Sequence, residues 1–256
     1  LKISGIMNVP KGKGPFPLLV LNHGYIDPKV YTNGRGLKRE QDYLERRGYV
    51  VLHPDYRNHA SSDKDPDPEL RFRLGYTEDA INAILAVKNS GLKFVDPARI
   101  GMLGHSMGGG IALNAMVTRP DLVSAVVLFA PVSGDLRDNF QRWTKRRPDT
   151  AEKILATYGS PSDNADFWHN LSAINFLDAV RAPVMVHHGT ADASVPLAWS
   201  ERLADRLQAA GKDVELHVYR GAPHEFINDW PLVMRRTVAF FNAHLKPNAP
   251  TPSTAR

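Results

Sequence analysis

Residues 100–110 read IGMLGHSMGGG and carry the clearest structural signal in this sequence. An apolar run comes first, a Gly-x-Ser-x-Gly spacing centres on Ser106, and a helical pattern follows over 107–118. A serine on a tight strand-to-helix turn needs small neighbours, because a Cβ at Gly104 or Gly108 would meet adjacent backbone. The helix after the serine points its free N–H groups toward it. The stretch therefore predicts a nucleophilic serine rather than one that only caps a helix.

Short apolar runs alternate with longer amphipathic segments along the rest of the chain. This alternation is typical of βα units wound into a mostly parallel sheet with helices on both faces. Four of the runs are almost continuously hydrophobic, as expected for strands covered on both sides. Residues 1–9 alternate polar and apolar side chains and predict an antiparallel edge strand. The other predicted strands are 18–22, 49–53, 100–103, 125–129, 184–187 and 215–219.

Amphipathic periodicity predicts four helices between and after these strands. Thr77 is the predicted N-cap of the first, and Gly211 is suited to end the third. Residues 246–256 are rich in Pro, Ser and Thr and predict a flexible tail. We therefore expect one α/β domain over 1–245. The predicted helices are 76–88, 107–118, 197–210 and 230–245.

One long segment, 133–177, contains no recognisable strand but several aromatic residues. Loops at the carboxyl ends of strands carry function, so a long insert there favours a helical cap over the site. The alternative is a pair of surface helices packed against the sheet edge. We expect a cap insert over 134–177 whose side chains Trp143, Phe167 and Trp168 line an apolar acyl or aryl site.

The composition is that of an ordinary globular protein. Of 256 residues, 43% are hydrophobic and 23% charged, and no apolar run approaches the roughly 20 residues that span a bilayer. The net charge of +5 comes from scattered basic residues without interleaved aromatics, which favours solvated surface over nucleic-acid binding. The absence of cysteine excludes thiol catalysis and disulfides. Cytoplasm and bacterial export both stay open, since a signal peptide can have been removed before Leu1; no oligomeric state is indicated.

Asp192 lies in a turn directly after the strand predicted at 184–187. An acid just past the carboxyl end of a strand can reach an imidazole on a neighbouring loop and fix its tautomer. Asp192 is therefore the predicted orienting acid, against the alternative of a helix-capping aspartate. Its rivals, none in an equally suitable turn, are Asp135, Asp138 and Asp178.

His224 lies in a Gly-Pro loop between the strand predicted at 215–219 and the last helix. A serine hydroxyl is a weak nucleophile until a base within hydrogen-bonding reach takes its proton. His224 is the predicted general base, against the alternative of a surface histidine. The adjacent His187 and His188 do not predict a metal site, because neighbouring side chains on a strand point to opposite faces.

The loop Asn22-His23-Gly24-Tyr25 follows the first predicted core strand. Acyl transfer needs N–H donors aimed at the developing oxyanion, and the amide after the nucleophile, that of Met107, supplies one. The second is expected from Tyr25, because Gly24 lets the loop approach closely. His23 is expected to brace the loop.

These pieces resemble the α/β-hydrolase superfamily, and most closely its prolyl oligopeptidase-like and dienelactone hydrolase-like esterase branch. The resemblance covers nearly the whole chain and implies an α/β-hydrolase fold with a helical cap. It also implies a triad of Ser106, Asp192 and His224, in the chain order of this fold, with Tyr25 and Met107 as the oxyanion hole. The motifs that carry it are NHGY at 22–25, DYR at 55–57, GHSMGGG at 104–110, HGTAD at 188–192 and GAPH at 221–224.

The sequence also departs from its relatives. Residues 58–62 read NHASS where the family usually has glycines. Dienelactone hydrolases proper use a cysteine nucleophile, which this chain lacks. The run 104–110 is also similar to the elbow of cutinase-like polyester hydrolases, but their stabilising disulfide is impossible here.

The expected activity is hydrolysis of small-molecule carboxylic esters, short-chain or aromatic, through an acyl-enzyme and without a metal or organic cofactor. A prolyl oligopeptidase-like exopeptidase and a cutinase-like polyester hydrolase are the alternatives. Esters are favoured because they have better leaving groups than amides and because no propeller-like repeat is visible. A non-catalytic binding module is disfavoured, since all three triad residues are present.

Overall fold

One seven-stranded sheet runs through residues 1–246, the part of the chain that the computed structural model describes. The strands are β1 (Gly5–Asn8), β2 (Phe16–Asn22), β3 (Val50–Pro54), β4 (Val95–His105), β5 (Ala125–Phe129), β6 (Val184–Gly189) and β7 (Val214–Tyr219). Their order across the sheet is β1-β3-β2-β4-β5-β6-β7. Among the strands in these described residues, only β1 is antiparallel to its neighbour, which confirms the predicted parallel sheet with an antiparallel edge.

Helices cover both faces of this sheet. They are α1 (Lys38–Glu45), α2 (Leu74–Asn89), α3 (Met107–Thr118), α4 (Leu136–Arg142), α5 (Pro148–Tyr158), α6 (Ala165–Asn170), α7 (Leu197–Ala209) and α8 (Trp230–Leu245). On one face α2, α3 and α7 bury Ile84, Leu113 and Leu203 against strand residues. On the other face α1 and α8 bury Leu44 and Phe241. The sheet is therefore the middle of three layers, and the loops at its carboxyl edge are free to form a site.

Some predicted boundaries are wrong, for reasons local to the backbone. The helix predicted from residue 76 begins at Leu74, because Arg73 is left-handed (φ 57°) and takes the N-cap position. Thr77 therefore lies inside the helix and is not its cap. Helix α1 was not predicted, since its eight residues are mostly polar and its N-cap, Leu37, makes no side-chain capping bond. Gly211 is left-handed (φ 68°) just after α7, as predicted.

The segment between β5 and β6 forms α4, α5, α6 and three short 3₁₀ turns at Thr144–Arg146, Ala173–Asn175 and Leu177–Ala179. It contains no strand, as predicted. Its helices bury a small core of their own, built on Phe140, Ile154 and Trp168, beside the main core. None of the helices in residues 1–246 is long and apolar enough to cross a membrane.

The predicted flexible tail begins at Lys246. The ammonium group of this residue donates to the carbonyl of Arg47 at 2.7 Å and lies 3.7 Å from the ring centroid of Tyr49. The first residue of the predicted tail is thus held against the domain. The rest of the tail, 247–256, lies outside the described residues.

Candidate active site

Ser106 lies at the turn between β4 and α3 with φ 57° and ψ −119°, a conformation that costs a non-glycine residue about 1–3 kcal/mol. The two flanking glycines make this turn feasible. A Cβ on Gly104 would overlap the carbonyl of Gly108, and a Cβ on Gly108 would overlap the carbonyl of Asn22. The backbone packing therefore requires glycine at both positions and lifts the serine out of the sheet.

Asp192 follows β6 and is almost wholly enclosed, with a side chain only 1% exposed. Its Oδ1 accepts the amides of Ser194 and Val195, both at 2.8 Å. Its Oδ2 lies 2.6 Å from Nδ1 of His224. Burial alone would raise the pKa of Asp192, but hydrogen bonds from His188, His224 and the Val195 amide outweigh burial and hold that pKa far below its usual range. Asp192 is therefore a carboxylate and fixes Nδ1 of His224 as the protonated nitrogen.

His224 and Ser106 line the same cavity. Within the described residues no hydrogen bond joins Ser106 Oγ to His224, and such bonds often close only when substrate is bound. His105, next to Ser106, places its ring centroid 4.5 Å from that of His224 and donates from Nε2 to the His224 carbonyl at 3.2 Å. Burial lowers the pKa of His105 to about 3, so it adds no positive charge beside His224.

The rival aspartates are engaged elsewhere. Asp135 caps α4 and pairs with Arg137, while Asp138 pairs with Arg202. Asp178 is exposed in the 3₁₀ turn before β6. None of them hydrogen-bonds His224 in the structure of residues 1–246.

Tyr25 and Met107 flank the serine on the same cavity wall. The loop after β2 comes so close that a Cβ on Gly24 would lie 3.2 Å from Cβ of Ser106. Arg73 bridges the two residues, since its guanidinium lies 4.5 Å from the Tyr25 ring centroid and its Nη1 lies 3.6 Å from Met107 Sδ. The side chains of both residues are thus linked through Arg73 on the cavity wall that Ser106 also lines.

A cavity of about 590 Å³ opens in front of Ser106. Trp143 from the segment 134–177 lines it, as expected, but Phe167 and Trp168 do not. Trp168 is fully buried and Phe167 stacks on Tyr158 at 4.5 Å, because a small helical insert needs its own core. Phe167 and Trp168, expected to line the site, therefore lie off the wall of this cavity. The apolar wall consists of Phe72, Leu74, Met107, Ile111, Leu113, Val132, Leu136, Phe140, Trp143, Leu171 and Val195.

The sequence matches the prolyl oligopeptidase family (peptidase S9) over residues 35–248. The chain belongs to this family. It has the α/β-hydrolase fold, as the sequence predicted. The chain is similar to both esterases and peptidases.

Three similar proteins illustrate that spread. The acylamino-acid-releasing enzyme of Arabidopsis thaliana is 25% identical over 220 residues, which cover 81% of this chain and 27% of that protein. Esterase EstD of Thermotoga maritima is 29% identical over 140 residues, 53% of this chain and 32% of that protein. The acylaminoacyl peptidase of Pyrococcus horikoshii superposes with a TM-score of 0.78 at 23% identity, covering 98% of this chain and 41% of that structure. This family member thus spans about a third or less of these two curated relatives.

The loop at 58–62, which has no glycine, still contains residues in the left-handed conformation that usually favours glycine. Tyr56, Asn58 and Ala60 all have positive φ, at 65°, 71° and 45°. Asn58 tolerates this conformation well and its Oδ1 accepts the amide of Asp65 at 2.7 Å. The departure in sequence therefore leaves the left-handed turns in place.

His23 braces the loop that carries Tyr25, as predicted. Its Nδ1 donates to the carbonyl of Gly24 at 2.7 Å, and its ring stacks on Tyr56 with centroids 4.4 Å apart. Burial, with smaller effects from neighbouring histidines, lowers the pKa of His23 to about 3. The neutral ring therefore supports the loop without introducing charge.

Sequence reasoning missed a charged group on the cavity wall. Glu69 pairs with Arg73 and, at 3.0 Å, with Arg147 of the segment 134–177. Burial would raise the pKa of Glu69, but the two guanidinium groups outweigh it and lower that pKa. These residues lie on loops without a motif, so only the folded structure reveals the pairing.

Proposed function

We propose that this protein is a serine carboxylic ester hydrolase in which Ser106 is the nucleophile, His224 the general base and Asp192 the orienting acid. The 2.6 Å contact between Asp192 and His224, on the cavity that Ser106 also lines, carries the proposal. The strained conformation of Ser106 supports it, because such strain is concentrated at functional sites.

The reaction proceeds in two steps. Ser106 Oγ attacks the ester carbonyl, forming a C–O bond while Nε2 of His224 takes the hydroxyl proton. The amides of Tyr25 and Met107 donate to the oxyanion of the tetrahedral intermediate. The intermediate collapses, the alcohol leaves with the proton from His224, and the acyl group stays on Ser106. Water, deprotonated by His224, then hydrolyses the acyl-enzyme, and these steps use only side chains, backbone amides and water.

The apolar wall of the cavity favours a short-chain or aromatic acyl or alcohol group. Phe140, Trp143 and Val195 offer apolar contact area on this wall. The similarity to EstD supports the choice of an ester substrate.

A peptidase activity is the second candidate, because the family is named for an oligopeptidase and one relative for the release of acylamino acids. A Ser-His-Asp triad without further specificity hydrolyses an activated ester faster than an amide, because the alkoxide is a better leaving group than the amine. We therefore expect the ester to be the faster substrate.

The test compares p-nitrophenyl acetate and butyrate with acylaminoacyl and prolyl p-nitroanilides, for the wild type and Ser106→Ala. We expect faster ester turnover, and a fall in kcat of at least about 10⁴-fold in the variant. Faster amide turnover would replace the esterase proposal with the peptidase, whereas full activity of Ser106→Ala would refute the nucleophile.

A further inference from the structure

His188, at the carboxyl end of β6, is a second histidine in contact with Asp192. Its side chain is fully buried, and its Nε2 lies 3.3 Å from Asp192 Oδ2 and 3.0 Å from the carbonyl oxygen of Val195. On the other side of the ring, Nδ1 lies 2.7 Å from Oγ of Ser200 in α7. Ser200 is fully buried as well. Both ring nitrogens of a residue outside the predicted triad are thus committed to specific partners.

These contacts determine the tautomer of His188. Nε2 faces a carboxylate and a carbonyl, which only accept, so Nε2 must carry a proton. A neutral imidazole then has Nδ1 as its acceptor, and the Ser200 hydroxyl can donate to it. Since Ser200 Oγ has no other hydrogen-bond partner among the described residues, its proton is available for this bond.

We propose that His188 is a positioning residue that holds Asp192 through its Nε2–H group, while Ser200 fixes the tautomer that makes this donation feasible. The inference rests on the proposed function, in which Asp192 orients His224. It extends the line of polar groups from α7 through β6 to the cavity.

The benefit of this arrangement lies in the second oxygen of the carboxylate. Oδ1 of Asp192 is held by two backbone amides, at Ser194 and Val195, but Oδ2 would otherwise contact only His224. A donor from His188 opposes rotation of the carboxylate and places the positive end of an N–H dipole beside it. His188 thereby keeps the acceptor for His224 in place and moderates the negative charge that His224 experiences.

His187 provides a matched control on the same strand. It is also fully buried, but its ring points to the opposite face, where Nδ1 lies 2.7 Å from the Tyr219 hydroxyl. Replacing His187 removes a buried histidine from β6 without removing a contact to Asp192. A general loss of stability is therefore separable from a specific effect on the candidate site.

The experiment compares His188→Leu, His188→Gln, Ser200→Ala and His187→Leu with the wild type. The pKa of His224 is followed by NMR of its imidazole between about pH 5 and 8, and kcat and KM are measured with p-nitrophenyl butyrate. We expect His188→Leu to raise the pKa of His224 and to lower kcat by about ten- to a hundredfold with little change in KM, because a hydrogen bond to a charged group is lost. Ser200→Ala should give a smaller change in the same direction.

His188→Gln should recover most of the activity, since its Nε2–H₂ can replace the imidazole donor. His187→Leu should leave the His224 pKa and kcat unchanged even if the melting temperature falls. An unchanged His224 pKa in both His188→Leu and Ser200→Ala, or an equal shift in the His187 control, would overturn the proposal. The NMR titration does not require turnover, so it tests the role of His188 even if the esters are not hydrolysed. The rates of the wild type and Ser106→Ala test the proposed function separately. If His188→Leu does not fold, the Ser200→Ala titration decides.

Discussion

Arg142 Nε lies 2.7 Å from the carbonyl oxygen of Ser194, so a side chain of α4 holds the loop that carries Asp192. The same guanidinium also donates from Nη2 to the carbonyl of Ala193 at 3.0 Å. The segment 134–177 is thus connected to the acid loop and, through Arg147 and Glu69, to the wall beside Tyr25. These connections support the prediction that the segment acts as a cap.

Replacing Arg142 tests the connection to the acid loop. In Arg142→Ala the carbonyls of Ala193 and Ser194 lose a charged donor, and the amides that hold Asp192 become less fixed. We expect kcat for p-nitrophenyl butyrate to fall about five- to twentyfold with an unchanged fold by circular dichroism. Gln141→Ala, an exposed neighbour on the same helix, is the control. Equal kcat values for Arg142→Ala and the wild type would show that the contact from α4 to the acid loop does not affect turnover.

The cavity wall predicts which aromatic residue affects substrate binding. Trp143→Ala removes apolar surface from the cavity, so KM for p-nitrophenyl butyrate should rise about five- to tenfold, and less for the acetate. Phe167→Ala should alter stability but leave KM unchanged, because Phe167 packs against the core of the segment and does not line the cavity. A larger KM effect from Phe167 than from Trp143 would contradict this assignment of the wall.

Histidines whose pKa values are lowered by burial predict a loss of stability in mild acid. Burial lowers the pKa of His23 and His105 to about 3 and of His53 to about 4, below the 6.5 of an unfolded chain. Between these values the unfolded state binds more protons, so stability is fully present above pH 6.5 and declines as pH falls toward 4.

His53 offers the cleanest test, because neither of its ring nitrogens has a hydrogen-bond partner in the structure of residues 1–246. The free energy of urea unfolding should fall less steeply with pH in His53→Leu than in the wild type over this window. Parallel curves for the two proteins would show that His53 is not held neutral by burial.

The close packing around the turn at Ser106 predicts that a Gly→Ala substitution is more destabilising there than at an open glycine. Gly108→Ala should destabilise the fold by at least about 3 kcal/mol, since its methyl group would overlap the carbonyl of Asn22. Gly91→Ala meets no atom within 4 Å and should cost only the left-handed strain of about 1–2 kcal/mol. Urea unfolding of both variants measures the difference, and equal losses would refute the close packing of α3 on β2.

Much of this architecture could be predicted from the sequence, because the informative signals are local. The helices at Met107–Thr118 and Trp230–Leu245 agree with the prediction at both ends, since their periodicity is strong. The triad candidates were found because each follows an apolar strand. In contrast, α1 lacks both an apolar stripe and a capping side chain, so no local signal predicts it.

What the sequence could not give is the pairing of distant side chains. No local sequence feature distinguishes the aromatic residues at 143, 167 and 168, and only tertiary packing determines which of them lines the cavity. The contact of His188 with Asp192 depends on the turn after β6, and Glu69 meets Arg147 across 78 positions of chain. Such contacts are set by the tertiary fold rather than by spacing.

The most direct test of the central claim is covalent labelling with a p-nitrophenyl alkylphosphonate, followed by peptide mass spectrometry. Attack by the activated serine forms an O–P bond and releases one p-nitrophenolate per labelled chain. We predict that the label is found on Ser106, at one per chain, and that His224→Ala abolishes labelling because the hydroxyl loses its base. A label on any other residue, or undiminished labelling in His224→Ala, would contradict the triad.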